Sequence, residues 1–311
     1  MKKEIKVFAP ASVTNVSCGF DILGFAIDFP GDELKLKIKD KPGITISKIS
    51  GDSGRLPLDP TKNTAGVSLI SMAEHLNFKK GIEIELHKKI ALGSGLGSSA
   101  TSAVASVFAL NELLDKPLNR KELLPFALEG EKLTCGGTPH ADNVSACLLG
   151  GFIIVRSIDP LDVVSIKVTA NLYCTILHPH LEINTADTRK ILRNNILLAD
   201  AIKQWGNVAG LVAGLMSGDY DLIGRSLQDV IIEPIRGILI PGFHEIKNAA
   251  IDAGALGCSI SGSGPSVFAF SKTKPAAKNV GEAMKKVLSE LDIDSDVYIS
   301  RINKRGPKVI N

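Results

Sequence analysis

Gly93-Ser94-Gly95-Leu96-Gly97-Ser98-Ser99-Ala100 stands between an alternating strand, Ile82-Glu83-Ile84-Glu85-Leu86, and a helical run from Ser98 to Leu114. Small residues let a backbone pass close to a ligand. The first N–H groups of a helix have no intrahelical partner, and with the helix dipole they favour an anion. Strand, glycine loop and helix in this order predict a phosphate cradle. Ser98 and Ser99 are expected to cap the helix, and a hydroxyl of one of them can reach a Mg²⁺. Lys88 and Lys89 flank the loop. The loop is neither a Walker A sequence nor a dinucleotide fingerprint, because the G-K-[ST] ending and the third glycine of G-x-G-x-x-G are both missing. A plain glycine turn with a serine cap is the simplest competing account.

The elements around the loop alternate between strand and helix. Ile5 to Phe8 reads as a strand that Pro10 breaks. Glu33 to Lys39 and Gly43 to Ile49 alternate like half-buried strands, and Asp52 to Lys62 is a loop. Residues 64–77, 98–114, 122–133 and 140–149 have helical spacing, and Phe152 to Val155 reads as a buried strand. The pattern loosens over 156–170. We expect a division there, into an N-terminal domain (1–160, nucleotide-binding) and a C-terminal domain (161–311, substrate side). The second half predicts a strand at 172–177 and helices near 186–203, 207–217, 219–230, 242–253 and 276–291. It also predicts a turn–strand–turn–strand return over 254–270 and a last strand at 296–302. The mixture points to an α+β fold with two lobes.

Composition excludes some classes. Of the 311 residues, 44% are hydrophobic and 22% charged, which suits a globular protein with a sizeable core. The net charge is only +3 and there is a single Trp, so no stacking platform for nucleic acid is expected. The five cysteines show no C-x-x-C pair, which argues against a disulfide framework or a zinc site and for a cytoplasmic location. No apolar run is long enough to predict a membrane span. His178-Pro179-His180 reads as a loop rather than as a metal site.

The glycine loop resembles the central phosphate-loop motif of the GHMP kinases. Two further motifs of that family stand in the expected order, Ala9 to Gly24 and Gly257 to Ser266. The resemblance covers the whole chain. It implies an N-terminal domain like the second domain of ribosomal protein S5, a C-terminal ferredoxin-like domain, and a site between them. ATP and Mg²⁺ are the implied cofactors. The loop from Ala91 and Leu92 through Gly93, Ser94, Gly95, Leu96, Gly97, Ser98, Ser99 and Ala100 to Thr101 would hold the phosphates. Asn63 is a weaker candidate for the adenine pocket. Glu131 and Ser99 (or Ser98) are the implied metal ligands. Ala91 departs from the family pattern, which often has Pro at that position.

Ala9 to Gly24 is most similar to the branch of the family that phosphorylates L-homoserine. His140-Ala141-Asp142-Asn143, Asn184 to Arg189 and Glu233-Pro234-Ile235-Arg236 carry the same likeness. A zwitterionic acceptor needs guanidinium groups for its carboxylate, and Arg189 and Arg236 fit. Its ammonium needs acceptors, and Asp21 and the Asn15 amide oxygen fit. His140 and Thr185 complete the implied pocket. In mevalonate-type relatives a base Asp lies seven residues before the Gly-Gly pair, and that count from Gly150 lands on Asn143. Either Asp142 takes the proton after a local shift, or no protein base acts and Asn143 orients the hydroxyl. A loose phosphoryl-transfer transition state favours the second account. Another small-molecule kinase of the family, of mevalonate type, and a catalytically silent metabolite-binding relative remain as alternatives. A homodimer is expected by analogy.

Overall fold

The structure is a computed structural model and describes residues 3–134 and 141–310. Its strands are β1 (Glu4–Thr14), β2 (Leu23–Lys39), β3 (Ile44–Ser50), β4 (Gly81–His87), β5 (Phe152–Ile158), β6 (Leu161–Ile166), β7 (Tyr173–Pro179), β8 (Gly257–Ile260), β9 (Val267–Ser271), β10 (Ser295–Arg301) and β11 (Lys308–Ile310). Its helices are α1 (Thr64–His75), α2 (Ser98–Leu113), α3 (Leu124–Glu131), α4 (Ala141–Leu149), α5 (Thr185–Lys190), α6 (Leu198–Ser217), α7 (Tyr220–Ser226), α8 (Glu233–Arg236), α9 (Phe243–Asp252) and α10 (Lys274–Ser289).

A seven-stranded sheet runs β11-β1-β2-β4-β3, with β5 beside β2 and β6 beside β5. The 17-residue β2 makes this branching possible: Glu33–Lys39 pairs with β4, while Leu23–Phe25 pairs with β5. The other sheet has four strands in the order β10-β7-β9-β8. The division expected at residue 160 falls inside the β5–β6 hairpin, and β11 returns to the first sheet after β10 has closed the second.

Alternation along the strands distributes side chains among three cores. Leu34 and Leu36 of β2 join residues of α1 to α4 in one core. Phe268 and Phe270 of β9 meet Phe25 and Phe152 of the first sheet in a second, while Val267 and Ala269 face α9 and α10 in a third. The aromatic contacts are close, with ring centroids of Phe25 and Phe152 4.7 Å apart and those of Phe25 and Phe270 5.2 Å apart. This cluster locks the two sheets together.

Several expectations need correction. Pro10 does not end its strand. The partner β11 covers only Lys6 to Phe8, so a missing N–H beyond that point costs no ladder bond. A register shift between Pro10 and Ser12 then turns the odd-numbered residues of β1 from one core to another: Val7 and Ala9 lie in the first, Ala11 and Val13 in the second. The helix expected over 186–203 is α5 followed by a non-helical stretch. The break expected before residue 207 is absent, because α6 runs on through Gly206. Its Gly210 gives the Ser226 hydroxyl room, since a Cβ there would sit 2.5 Å from it. His178 and Pro179 end β7 instead of forming a loop, and the His178 ring pairs with Ser266 Oγ at 3.1 Å. Neither α8 nor β11 was anticipated.

Candidate active site

The glycine loop joins β4 to α2 as expected and lines a cavity of about 340 Å³. The carbonyls from Gly93 to Ser98 are all engaged by donors from other segments or from the helix. Gly93 O accepts from Ile183 N, Ser94 O from Ser266 N, Leu96 O from Ser12 N and Gly97 O from Thr101 N. Gly95 O accepts from Ser261 Oγ at 2.8 Å, and Ser98 O from Lys88 Nζ at 2.6 Å. In a trans peptide the C=O and the following N–H point in opposite directions. Holding the carbonyls therefore leaves the opposed amides of Ser94 to Ser99 available to an anion. Gly97 is the N-cap of α2, with φ 71° and no side-chain cap. A Cβ on Gly97 would lie 2.4 Å from Ser12 Oγ, and one on Gly95 2.5 Å from the Ser261 carbonyl oxygen. Glycine is required at both.

The serines do not cap the helix, which corrects the expectation. Ser98 Oγ donates to Ile90 O at 3.1 Å, and Ser99 Oγ donates to Glu131 Oε1 at 2.9 Å. The helix N-terminus is thus left for a ligand. Beneath it, Lys88 and Asp32 form a buried ion pair. Asp32 also accepts from Thr101 Oγ1 at 2.6 Å and from the amides of Lys89 and Ile90, so it ties the end of β4 to the first turn of α2. Lys89 is exposed and pairs with Glu33. Sequence reading noticed Lys88 but not Asp32, whose partner lies 56 residues away.

Of the residues expected around the nucleotide, Asn63, Leu92, Gly93, Ser94, Gly95, Gly97, Ser98 and Ser99 line the cavity. Ala91 is exposed beside it. Leu96 packs in the core between the sheets and Ala100 in the core behind α2. Thr101 reaches Asp32 instead of the cavity. Asn63 caps α1, with its Oδ1 accepting from Ala65 N at 3.1 Å.

Asn15, Asp21, Asp142, Asn143, Arg189 and Arg236 line the same cavity. The turn that carries the first two is backbone-strained, with φ of 68° at Asn15, 42° at Val16, 64° at Ser17 and 61° at Asp21. A left-handed β-branched residue is costly and persists only where neighbours enforce it. Asn15 does part of this, with Nδ2 donating to Gly262 O at 2.8 Å and Oδ1 accepting from Asp21 N at 3.1 Å. Arg189 NH2 donates to both oxygens of Asp21, at 2.8 and 2.7 Å. Arg236 is 4% exposed, and its NH1 donates to Gly262 O at 3.2 Å. Its Nε is buried with no partner among the described residues. Burial lowers the Arg236 pKa to about 10, Asp21 opposes the shift and Arg189 adds to it, so the group is charged near neutral pH.

Asn143 Oδ1 accepts from Ser12 Oγ at 2.9 Å, and its Nδ2 donates to Thr14 Oγ1 at 3.2 Å. Asp142 Oδ1 accepts from Asn143 N at 2.8 Å. His140 lies outside the described residues, as does the side chain of Thr185, the first residue of α5. Sequence reading also missed Ser12, Ser261 and Phe20. Each sits inside a motif already noted, but only the fold shows what it touches.

An anion-ready helix terminus, a serine–carboxylate pair and a cluster of two guanidinium groups with a carboxylate share one cavity, as a small-molecule phosphotransferase requires. The GHMP kinase N-terminal domain pattern matches residues 63–151, and the GHMP kinase C-terminal pattern matches residues 211–290. The chain belongs to the GHMP kinase family, in its homoserine kinase branch. It is 50% identical to the homoserine kinase of Chlorobium phaeobacteroides, with 99% of this chain and 100% of that one covered. A crystal structure of homoserine kinase from Cytophaga hutchinsonii superposes with a TM-score of 0.97 at 61% identity, covering 100% of this chain and 98% of that one. A mevalonate kinase from L. major shares the fold, with a TM-score of 0.73 at 19% identity over 97% of each chain.

Proposed function

We propose that the protein transfers the γ-phosphoryl group of ATP to the hydroxyl of L-homoserine, giving O-phospho-L-homoserine for threonine biosynthesis. One observation carries this reading. Asp21, Arg189 and Arg236 converge in the cavity that the glycine loop lines. A zwitterionic acceptor supplies a partner for each sign of charge. A mevalonate-type acceptor brings a carboxylate but leaves Asp21 without an ammonium, so the amino acid is favoured.

In this reading the amides of Ser94 to Ser99 hold the phosphates and Asn63 borders the nucleotide. The unpartnered Nε of Arg236, together with Arg189, takes the acceptor carboxylate. Asp21 takes its ammonium, with Asn15 holding the Asp21 turn in place; His140 and Thr185 complete the pocket. Ser99 and Glu131 present adjoining hard oxygen donors, a set that fits Mg²⁺, which is usually held by one or two carboxylates plus substrate phosphates. When bound, the cation would neutralise charge on the β- and γ-phosphates. Asn143 orients the hydroxyl and no protein base is needed. The first lobe then holds mainly nucleotide, and the second supplies both arginines.

We place the enzyme in the cytoplasm, where the free, buried Cys18, Cys147, Cys174 and Cys258 stay reduced. We also propose a homodimer. Leu198, Ile202 and Trp205 are 68%, 58% and 62% exposed and lie on one face of α6, next to Leu197 at 72%.

The test is ADP release with ATP, Mg²⁺ and L-homoserine, mevalonate, galactose, L-serine or L-threonine. Turnover confined to L-homoserine is the expected result. Turnover with another acceptor alone would overturn the acceptor pocket. ATP binding with no turnover would favour a silent relative.

A further inference from the structure

Two guanidinium groups close together in a half-closed cavity repel each other and lose hydration. Each must be held by something negative. Arg189 has the Asp21 carboxylate and Arg236 has the Gly262 carbonyl. Both share a further neighbour. The guanidinium carbon of Arg236 lies 5.0 Å from the centroid of the Phe20 ring, and that of Arg189 lies 5.5 Å from the same centroid. Among the described residues that line the cavity are both arginines but not Phe20, so its contact with the ligand space runs through them.

We propose that Phe20 is a positioning residue that sets the two guanidinium groups for the acceptor carboxylate. This rests on the acceptor reading above. The Phe20-Asp21 dipeptide supplies two kinds of attraction for a cation, a carboxylate charge and the negative face of a neutral ring. Asp21 is exchangeable: an incoming ammonium competes for the carboxylate that Arg189 now holds with both oxygens. The π-face of Phe20 has no ion to exchange and keeps attracting both cations throughout. Holding the arginines and binding the substrate are thereby separated. Asp21 stands at a left-handed φ of 61°, and it bonds Arg189 while the adjacent Phe20 ring meets both arginines.

The substitution Phe20→Leu keeps an apolar side chain but removes the π-face. Steady-state kinetics should show KM for L-homoserine raised about 5- to 30-fold, with kcat and KM for ATP within about threefold. Phe20→Trp should restore most of the loss. With L-homoserine amide, which lacks the carboxylate, the KM of Phe20→Leu should match that of the parent enzyme. A penalty of equal size on the amide would overturn the proposal and make Phe20 ordinary packing, as would an unchanged KM for homoserine. Arg236→Ala, measured alongside, separates the two readings. If it leaves the homoserine KM unmoved, the acceptor pocket itself is wrong. If it raises that KM while Phe20→Leu does not, only the role of Phe20 falls. Thermal melting of each variant identifies any that fails to fold; Phe20→Met, apolar and without a π-face, then replaces Phe20→Leu and should show the same rise in homoserine KM, an unchanged KM overturning the proposal.

Discussion

Single side chains here are judged by what their charge would do if left alone. Arg236 pairs high burial with an Nε that has no partner among the described residues, so truncating it removes a ligand contact along with its bond to Gly262 O. Arg236→Ala should raise KM for homoserine about 30- to 100-fold, the range of a charge-assisted bidentate contact, with KM for ATP unchanged. Glu131 sits with Ser99 at the glycine-loop end of the cavity. Glu131→Ala should lower kcat about 100-fold or more, and a Mg²⁺ titration should recover only part of it. The proton question is also settled at one residue. A general base contributes about 10²–10⁴-fold, so Asp142→Asn should cost less than about 100-fold in kcat if no protein base acts. A larger loss with unchanged melting would assign the base to Asp142.

At the scale of elements, the site depends on how loop and helix ends are fixed from behind. The glycine loop owes its shape to donors from β1, the β7–α5 segment and the β8–β9 turn, and α2 owes its start to Asp32 and Lys88. Gly97→Ala places a Cβ against Ser12 Oγ at a left-handed N-cap. It should weaken ATP binding at least about tenfold, measured by calorimetry, because the amides turn out of line. Removing one partner of the buried pair, Asp32→Ala, should cost about 3–5 kcal/mol of stability in a denaturant titration. The short helix α8 carries Arg236 and is held in a similar way. Asp229 accepts from the amides of Ile231, Ile232 and Glu233, at 2.9–3.0 Å. Gln204 of α6 donates to Asp229 and also to the Cys18 carbonyl, at 2.9 Å each. One buried amide thus joins the turn bearing Asp21 to the turn bearing Arg236.

Over the whole molecule, the aromatic cluster of Phe25, Phe152, Phe268 and Phe270 fixes one sheet against the other. Phe25→Ala should cost about 3–5 kcal/mol, seen as a lowered denaturant midpoint. Trp205→Asp tests the proposed dimer: sedimentation should show a monomer that keeps its fold. Local order was legible in the sequence. Strand alternation, helical spacing and the glycine loop appear as patterns because each depends on near neighbours in the chain; the interleaving of strands and helices gave the α+β class, and most of the residues that the motif resemblance pointed to line one cavity. Tertiary structure alone decided the rest. A proline survives in β1 because β11, nearly 300 residues later, leaves that edge open. Ser98 and Ser99 do not cap because Gly97 holds the N-cap position and their hydroxyls bond Ile90 O and Glu131 instead. Asp32, Phe20 and Gln204 matter through contacts with residues far along the chain. Sequence periodicity records which face of an element is buried; it does not record which distant group lies against that face, and the geometry of this site is made of such pairings.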